Sequence, residues 1–126
     1  KRVQQASRYL LNQYEGKVPK TLEELLSIPG VGRKVANIIL AECFNIPAIA
    51  VDIHVFRISQ RIGLAKGKTP LEIERQLEKM FQKKEWKNIN RVLVVHGQNI
   101  CGPLLPKCSV CPIERYCEKN NLINLQ

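Results

Sequence analysis

Apolar residues recur at helical spacing along most of the chain, and hardly any stretch alternates as a half-buried strand would. Residues 88 to 100 contain several valines and also suit a strand, but Ile89, Leu93 and Gly97 fall four apart, which favours a helix. The pattern therefore predicts an all-α fold in one or two lobes. The predicted helices cover residues 3 to 14, 21 to 27, 32 to 44, 53 to 62, 70 to 82 and 88 to 100.

Two of these helices carry clear start signals. Thr21 followed by Glu24 matches the capping box, in which the threonine side chain accepts a bond from the first helical turn. Thr69 with Glu72 repeats the signal, and Pro70 stands at the first helical position, where proline is well tolerated. We therefore expect one helix to begin after residue 21 and another after residue 69.

The stretch "IPGVG" joins the second and third predicted helices and holds two glycines that permit positive φ. So tight a turn directs the N–H groups at the start of the next helix toward one point, which favours an anion such as a DNA phosphate. A turn that needs glycine only for packing is the alternative interpretation. The candidate phosphate-binding residues are Pro29, Gly30, Val31, Gly32 and Arg33.

Charge is consistent with an anionic partner. Twenty Lys and Arg residues against eleven Asp and Glu residues leave a formal net charge of +9 in 126 residues. A polyanion suits such a surface, although a merely basic, soluble surface explains the charge equally well. The sequence shows neither a membrane-spanning apolar stretch nor a signal peptide, so we expect an intracellular protein without a membrane partner.

Five cysteines occur, and four of them crowd into seventeen residues with the spacing Cys101-x6-Cys108-x2-Cys111-x5-Cys117. Four thiolates from one short loop suit either Zn²⁺ or a [4Fe–4S] cluster, and spacing alone leaves both open. The fifth, Cys43, falls on the apolar third helix, and we expect it to be a small buried side chain.

Three segments together resemble one protein family. "LLSIPGVGRKVANIIL" resembles the helix-hairpin-helix of base-excision DNA glycosylases, and "VDIHVFRISQRIGL" resembles the segment that follows it in the endonuclease III branch. The cysteine spacing is similar to that of the same branch's iron–sulfur loop, so the resemblance favours [4Fe–4S], with zinc as the alternative. It covers residues 21 to 120, with the segments in the family's order.

The resemblance implies a catalytic pair. Lys34 matches the lysine that attacks C1′ of a deoxyribose and forms a Schiff base, and Asp52 matches the catalytic aspartate. Both residues also have structural interpretations, Lys34 as a phosphate-binding cation and Asp52 as a helix N-cap. A lysine at this position indicates the bifunctional type, in which β-elimination at the abasic site follows base removal.

The implied function is base-excision repair by a DNA glycosylase/AP lyase acting on duplex DNA with oxidised pyrimidines or abasic sites. The alternative is a non-catalytic helix-hairpin-helix fragment that binds DNA and keeps a structural metal site. The resemblance places such a protein in the cytoplasm or nucleoid of a prokaryote, with a nucleus as the alternative. Lys107, in the cysteine loop, is a further candidate contact to DNA phosphates.

The family comparison also implies a domain division. Residues 1–48 correspond to the latter part of a six-helix barrel that contains the hairpin motif at 21–44. Residues 49–126 correspond to a helical lobe ending in the cysteine loop at 101–117, with Lys34 and Asp52 facing each other across the cleft. Family members carry a further helical segment before this region. We therefore expect the chain to need that segment, attached or as a second chain, for full base excision.

Four other polar side chains receive weaker predictions. Arg57 and Arg61 are spaced i, i+4 on one helix face, which indicates a solvated face or one that lines the DNA. His54 and His96 lie in apolar stretches and are interpreted as core residues or as neighbours of a metal site, because the four cysteines already complete a ligand set.

Overall fold

A computed structural model describes residues 1–122 of the chain. All regular secondary structure in that range is helical, which confirms the predicted all-α class. The α-helices are α1 (Arg2–Tyr14), α2 (Leu22–Leu26), α3 (Arg33–Ile38), α4 (Ile53–Ile62), α5 (Pro70–Met80) and α6 (Lys83–Asn99). Short 3₁₀ turns follow at Cys108–Val110 and Glu114–Tyr116. Contacts divide the chain into two compact units, Lys1–Ala50 and a second that begins at Val51.

The first unit is built around the pair α2 and α3. The Thr21 hydroxyl accepts a hydrogen bond from the backbone N–H of Glu24 (3.2 Å) and donates one to the Glu24 carboxylate (2.7 Å), so the predicted start of α2 is confirmed. The apolar side of this pair closes over a small core, onto which α1 packs Ala6, Tyr9 and Leu10. The buried members of that core are Leu25, Ile28, Ala36, Leu40, Ala41 and Ala48.

The third predicted helix, 32 to 44, is α-helical only as far as Ile38. It continues as a π-helical turn, Ile39–Cys43. A π turn holds one more residue than an α turn, so by its last residue, Cys43, the side chain is rotated by up to about 100° from its α-helical position. Cys43, which an uninterrupted helix would align with buried Ala36 and Leu40, is exposed. The expectation of a buried Cys43 is therefore wrong.

The second unit packs α4 against α5 and α6. Its core contains the fully buried Val55, Ile58, Ile73 and Leu77, with Ile89 and Leu93 from α6. Helix α6 is confirmed but begins at Lys83, five residues before the predicted start. Its first turn, "KKEW", has three charged residues that are good helix formers and a single apolar residue, so the apolar pattern does not reveal it. Within residues 1–122 no helix is long and apolar enough to cross a membrane.

Two glycines let the second unit pack closely. A Cβ on Gly97 of α6 would lie 2.5 Å from His54 Nδ1 and 2.9 Å from Ile58 Cδ1, so α6 approaches α4 at a point where no side chain fits. Gly63 ends α4 in the left-handed conformation, with φ +101°, and its backbone N–H donates to the Ser59 carbonyl. These contacts set the position of α4, whose two ends carry Asp52 and Arg61.

Candidate functional site

The hairpin between α2 and α3 uses its two glycines differently. Gly30 has φ +86°, a conformation that glycine adopts without strain and that other residues rarely adopt. Gly32 has φ −95° and ψ −179°, an extended conformation that any residue can adopt. The prediction of positive φ is therefore confirmed for Gly30 and wrong for Gly32.

Gly32 nevertheless lies at an open position. It is the N-cap of α3, and its missing side chain leaves the first turn without a side-chain cap. A Cβ built at Gly32 would have no heavy atom of residues 1–122 within 4 Å apart from those of Gly32 itself and its two chain neighbours. Packing among these residues does not require glycine here. The backbone at the start of α3 is instead accessible to a group that approaches from outside.

Lys34 is the second residue of α3 and its side chain is exposed. Helix α3 therefore presents the lysine within two residues of the open Gly32 position. The preceding Arg33 is half-buried and makes interactions of its own. On the other side of the turn, the Val31 N–H donates to the Ile28 carbonyl (3.1 Å), which holds the hairpin closed.

Asp52 lies in the second unit and is half-buried at the start of α4. Its Oδ1 accepts a hydrogen bond from the Val55 N–H at 2.9 Å, so the residue is the N-cap of the helix. The structural interpretation of Asp52 is thus correct. The capping bond occupies one acceptor position of the carboxylate, and the remaining acceptor positions can form further hydrogen bonds.

The cysteines predicted as a ligand set surround one cavity. Cys101, Cys108, Cys111 and Cys117 all line it, together with apolar side chains from Ile62, Ile100, Pro106 and Ile113. The two 3₁₀ turns bring the middle pair and the last cysteine to this cavity, since one spans Cys108–Val110 and the other ends just before Cys117. Among residues 1–122 no three Cys, His, Asp or Glu side chains are grouped so as to hold a single metal ion.

Two N–H donors and one histidine ring nitrogen contact three of the four sulfur atoms. The Lys119 N–H donates to Cys117 Sγ (3.3 Å), an Arg61 guanidinium N–H donates to Cys101 Sγ (3.2 Å), and His96 Nε2 lies 3.7 Å from Cys111 Sγ. Burial lowers the pKa of His96 and so favours its neutral form. Four thiols around a mostly apolar cavity, with N–H donors to their sulfurs, fit a group ligated by four thiolates.

Arg57 and Arg61 do not form the solvated face that their spacing suggested. Arg61 is only 6% exposed, and Arg57 is half-buried, with its guanidinium donating to the Cys101 carbonyl (2.9 Å) and lying 3.1 Å from His54 Nδ1. Burial and the positive charge of Arg61 lower the pKa of Arg57. The i, i+3 spacing of Arg61 from the apolar Ile58 is a sequence signal for a position on the buried side of α4, which the charge of Arg61 outweighed in the prediction.

A helix-hairpin-helix motif matches residues 13–42, so the turn between α2 and α3 is the hairpin of such a motif. The chain is similar to endonuclease III of Thermotoga maritima (48% identical over 117 residues, 93% of this chain and 55% of that protein) and of Bacillus subtilis (38% over 120 residues, 94% and 55%). Across the region that it spans, the chain is similar to endonuclease III. The resemblance predicted from the sequence is thus confirmed.

Solved structures show a similar fold. A structure described as a trapped endonuclease III–DNA covalent intermediate matches with a TM-score of 0.88 at 37% identity, covering 94% of this chain and 56% of that one. A thermostable thymine-DNA glycosylase shares the fold, with a TM-score of 0.80 at 23% identity over 94% of this chain and 56% of that one. The chain spans about half the length of the curated relatives it matches.

Proposed function

We propose that this chain provides the hairpin, the catalytic pair and the cysteine loop of a base-excision DNA glycosylase/AP lyase of the endonuclease III type. The observation that carries the proposal is the likeness to a relative solved as a covalent intermediate with DNA, combined with an exposed Lys34 at the hairpin. In this proposal residues 1–48 belong to the six-helix barrel and residues 49–126 to the cluster lobe. The substrate is duplex DNA inside a prokaryotic cell.

The hairpin, from Pro29 to Arg33, binds the DNA backbone in this proposal. Backbone N–H groups at a helix start are good ligands for phosphate oxygens, and contacts of that kind carry no base information. The open position at Gly32 supports this role, because a phosphate needs close approach to the backbone and glycine leaves room for it. Lys107, which is exposed in the cysteine loop, adds a second phosphate contact.

Lys34 is the proposed nucleophile. Its neutral ε-amine attacks C1′ of the damaged nucleotide, the C1′–N bond to the base breaks, and the base leaves with the bonding electron pair. The attached nitrogen then loses a proton and the C1′–O4′ bond breaks, with O4′ taking up a proton, which opens the sugar ring and leaves an iminium at C1′. The iminium makes the C2′ proton acidic. Loss of that proton expels the 3′ phosphate by β-elimination, and water then releases Lys34 from the sugar. The target base must leave the stack before its C1′ can be reached.

Asp52 is the proposed electrostatic partner of this reaction. Positive charge develops on the sugar as the base departs, and a carboxylate stabilises such a cation or moves a proton at the same position. The capping bond to the Val55 N–H fixes the orientation of the carboxylate, so the structural and catalytic roles of Asp52 are compatible.

The cysteine loop is proposed to hold a [4Fe–4S] cluster, with zinc as the alternative. The four cysteines that line one cavity, and the N–H donors to their sulfurs, fit such a group. The spacing that resembles the family's iron–sulfur loop favours iron over zinc. When bound, the cluster contributes structure and charge, and neither base removal nor β-elimination requires it to change redox state. Its ligation fixes the loop that carries Lys107.

Borohydride reduction tests the nucleophile. Incubation of the chain with a duplex that contains an abasic site, followed by reduction, should give a covalent protein–DNA adduct, because an imine is reducible. Lys34→Gln should abolish both the adduct and strand cleavage while largely preserving DNA affinity. Lys17→Gln is the matched control, since it removes the same charge from an exposed lysine of the same unit outside the hairpin.

The trapping experiment also separates the proposed enzyme from a non-catalytic DNA-binding fragment. A non-catalytic chain would have the same hairpin and cysteine loop, but the parent chain would then give no adduct. If Lys34→Gln gave as much adduct as the parent chain, another amine would be the nucleophile. Either result would contradict the proposed role of Lys34.

A further inference from the structure

Arg61 makes a three-pronged contact with the start of the cysteine loop. One terminal nitrogen of its guanidinium donates to Cys101 Sγ (3.2 Å) and to the Gly102 carbonyl (2.7 Å). The other donates to the Pro103 carbonyl (2.8 Å). The planar guanidinium suits such a fork, and a lysine ammonium in its place cannot reproduce all three bonds. The side chain thus holds the backbone of the loop and one ligand sulfur at the same time.

The charge of Arg61 is buried without a carboxylate partner among residues 1–122. Its exposure is 6%, and its side-chain hydrogen bonds all go to the sulfur and the two carbonyls. A guanidinium does not give up its proton in a protein, and a buried charge is costly unless an opposite charge lies close to it. The nearest group able to supply negative charge is the cysteine set, which carries net negative charge when it ligates iron.

The backbone of the same helical turn holds the other end of the loop. The Arg61 carbonyl accepts a hydrogen bond from the Asn120 N–H (3.0 Å), and the Ile62 carbonyl accepts one from the Glu118 N–H (3.1 Å). These bonds satisfy carbonyls at the end of α4 that have no partner within the helix. The last turn of α4 therefore fixes the chain at Cys101–Pro103 and again just after Cys117.

We propose that Arg61 is the charge-balancing and positioning residue of the four-cysteine site. Its N–H···S bond and its positive charge stabilise negative charge on the ligated group, and its fork fixes Cys101 as a ligand. The inference rests on the proposed cluster. Because one-electron reduction makes the group more negative, a cation beside a ligand sulfur raises the reduction potential. Arg61 therefore sets both the potential of the cluster and its retention.

Two substitutions separate charge from geometry. Arg61→Gln removes the charge, so the midpoint potential of the cluster should shift to more negative values and iron release to a chelator should become several-fold faster. Arg61→Lys keeps the charge but loses the fork. It should release iron faster than the parent while its potential moves less than that of Arg61→Gln. Arg75→Gln is the control, because it removes the same charge from an exposed position on α5.

A measurement on the parent chain does not depend on the folding of a variant. After labelling of arginine with ¹⁵N and one-electron oxidation with ferricyanide, pulsed electron paramagnetic resonance should resolve a coupling between the cluster and one arginine nitrogen. The coupling should persist in Arg75→Gln and disappear in Arg61→Lys.

The possible results distinguish this inference from the proposed cofactor. A parent chain that contains iron but shows no arginine coupling, or an Arg61→Gln variant with parent potential and parent iron release, would overturn the role of Arg61 alone. Equal midpoint potentials in Arg61→Lys and Arg61→Gln would overturn the proposed role of the Arg61 charge. A parent chain purified anaerobically with zinc and without iron would overturn the cluster proposal and this inference together.

Discussion

At the scale of single residues, Asp52 combines two roles that a substitution can separate. Asparagine is as good an N-cap as aspartate, so Asp52→Asn should retain the bond to the Val55 N–H and the stability of α4. It should nevertheless slow base release, because the amide carries no charge to stabilise the developing sugar cation. Single-turnover excision on an oxidised-pyrimidine duplex, by the chain supplied with the family's N-terminal helical segment, is measured beside the thermal midpoint and checks both halves of the prediction.

Asp52→Ala is the comparison variant for this position. It loses the cap as well as the charge and should cost about 1 kcal/mol of stability in addition to the catalytic defect. If Asp52→Asn excised the base at the parent rate, the carboxylate would be a cap and nothing more. A loss of stability in Asp52→Asn equal to that of Asp52→Ala would show that the capping bond depends on the charge.

At the scale of elements, the hairpin offers a contrast between two neighbouring glycines. Gly30 has positive φ, so Gly30→Val should destabilise the first unit by about 1–3 kcal/mol. Gly32 is extended and faces open space, so Gly32→Val should keep a stability close to that of the parent. It should weaken binding to damaged and to undamaged DNA alike. Denaturant unfolding and binding to the two duplexes measure the two effects separately.

The contrast also decides between the two interpretations of the turn. Parent affinity in a folded Gly32→Val chain would make the hairpin a packing turn without a phosphate site. Loss of affinity for damaged duplex alone would contradict a contact that carries no base information. Gly32→Ala, whose single methyl group has room in the open space, is expected to fall between the parent and the valine variant.

Helix positions and the grouping of the four cysteines around one cavity could be predicted, because they depend on local patterns. Thr21 and Thr69 accept the bonds from Glu24 and Glu72 that a capping box requires, and Ile89, Leu93 and Gly97 share a buried face. The π turn could not be predicted, because periodicity assumes an uninterrupted helix. The buried Arg61 was missed because charged residues are almost never fully buried without a partner, and its partners lie some forty positions away.

At the scale of the whole molecule, metal binding and folding should be coupled in the second unit. Cys108 lines the shared cavity, whereas Cys43 is exposed in the other unit, so the two cysteines form a matched pair. Cys108→Ser should bleach the brown colour of a [4Fe–4S] protein, lower its iron content and destabilise the lobe, because ligation energy is folding energy. Cys43→Ser should leave all three unchanged, as checked by absorbance, iron analysis and thermal unfolding.

Stoichiometric zinc without iron in the parent chain would contradict the cluster, and full iron content in Cys108→Ser would remove that cysteine from the ligand set. The exposed Cys43 also serves as an internal check on oxidation, because it reacts with thiol reagents whether or not the loop holds metal.

The net charge of +9 predicts how DNA affinity responds to salt. Each phosphate that the protein neutralises releases condensed counterions, so the logarithm of the binding constant should fall with the logarithm of salt concentration by about 0.9 per contact on duplex DNA. Lys107 is one proposed contact, and Lys107→Gln should reduce this slope by about one. Lys84→Gln, which removes the same charge from an exposed position on α6, should leave the slope unchanged. Binding to an undamaged duplex, titrated at several salt concentrations, gives the three slopes. Equal reductions in both variants would mean that overall charge, rather than the cysteine loop, determines the affinity.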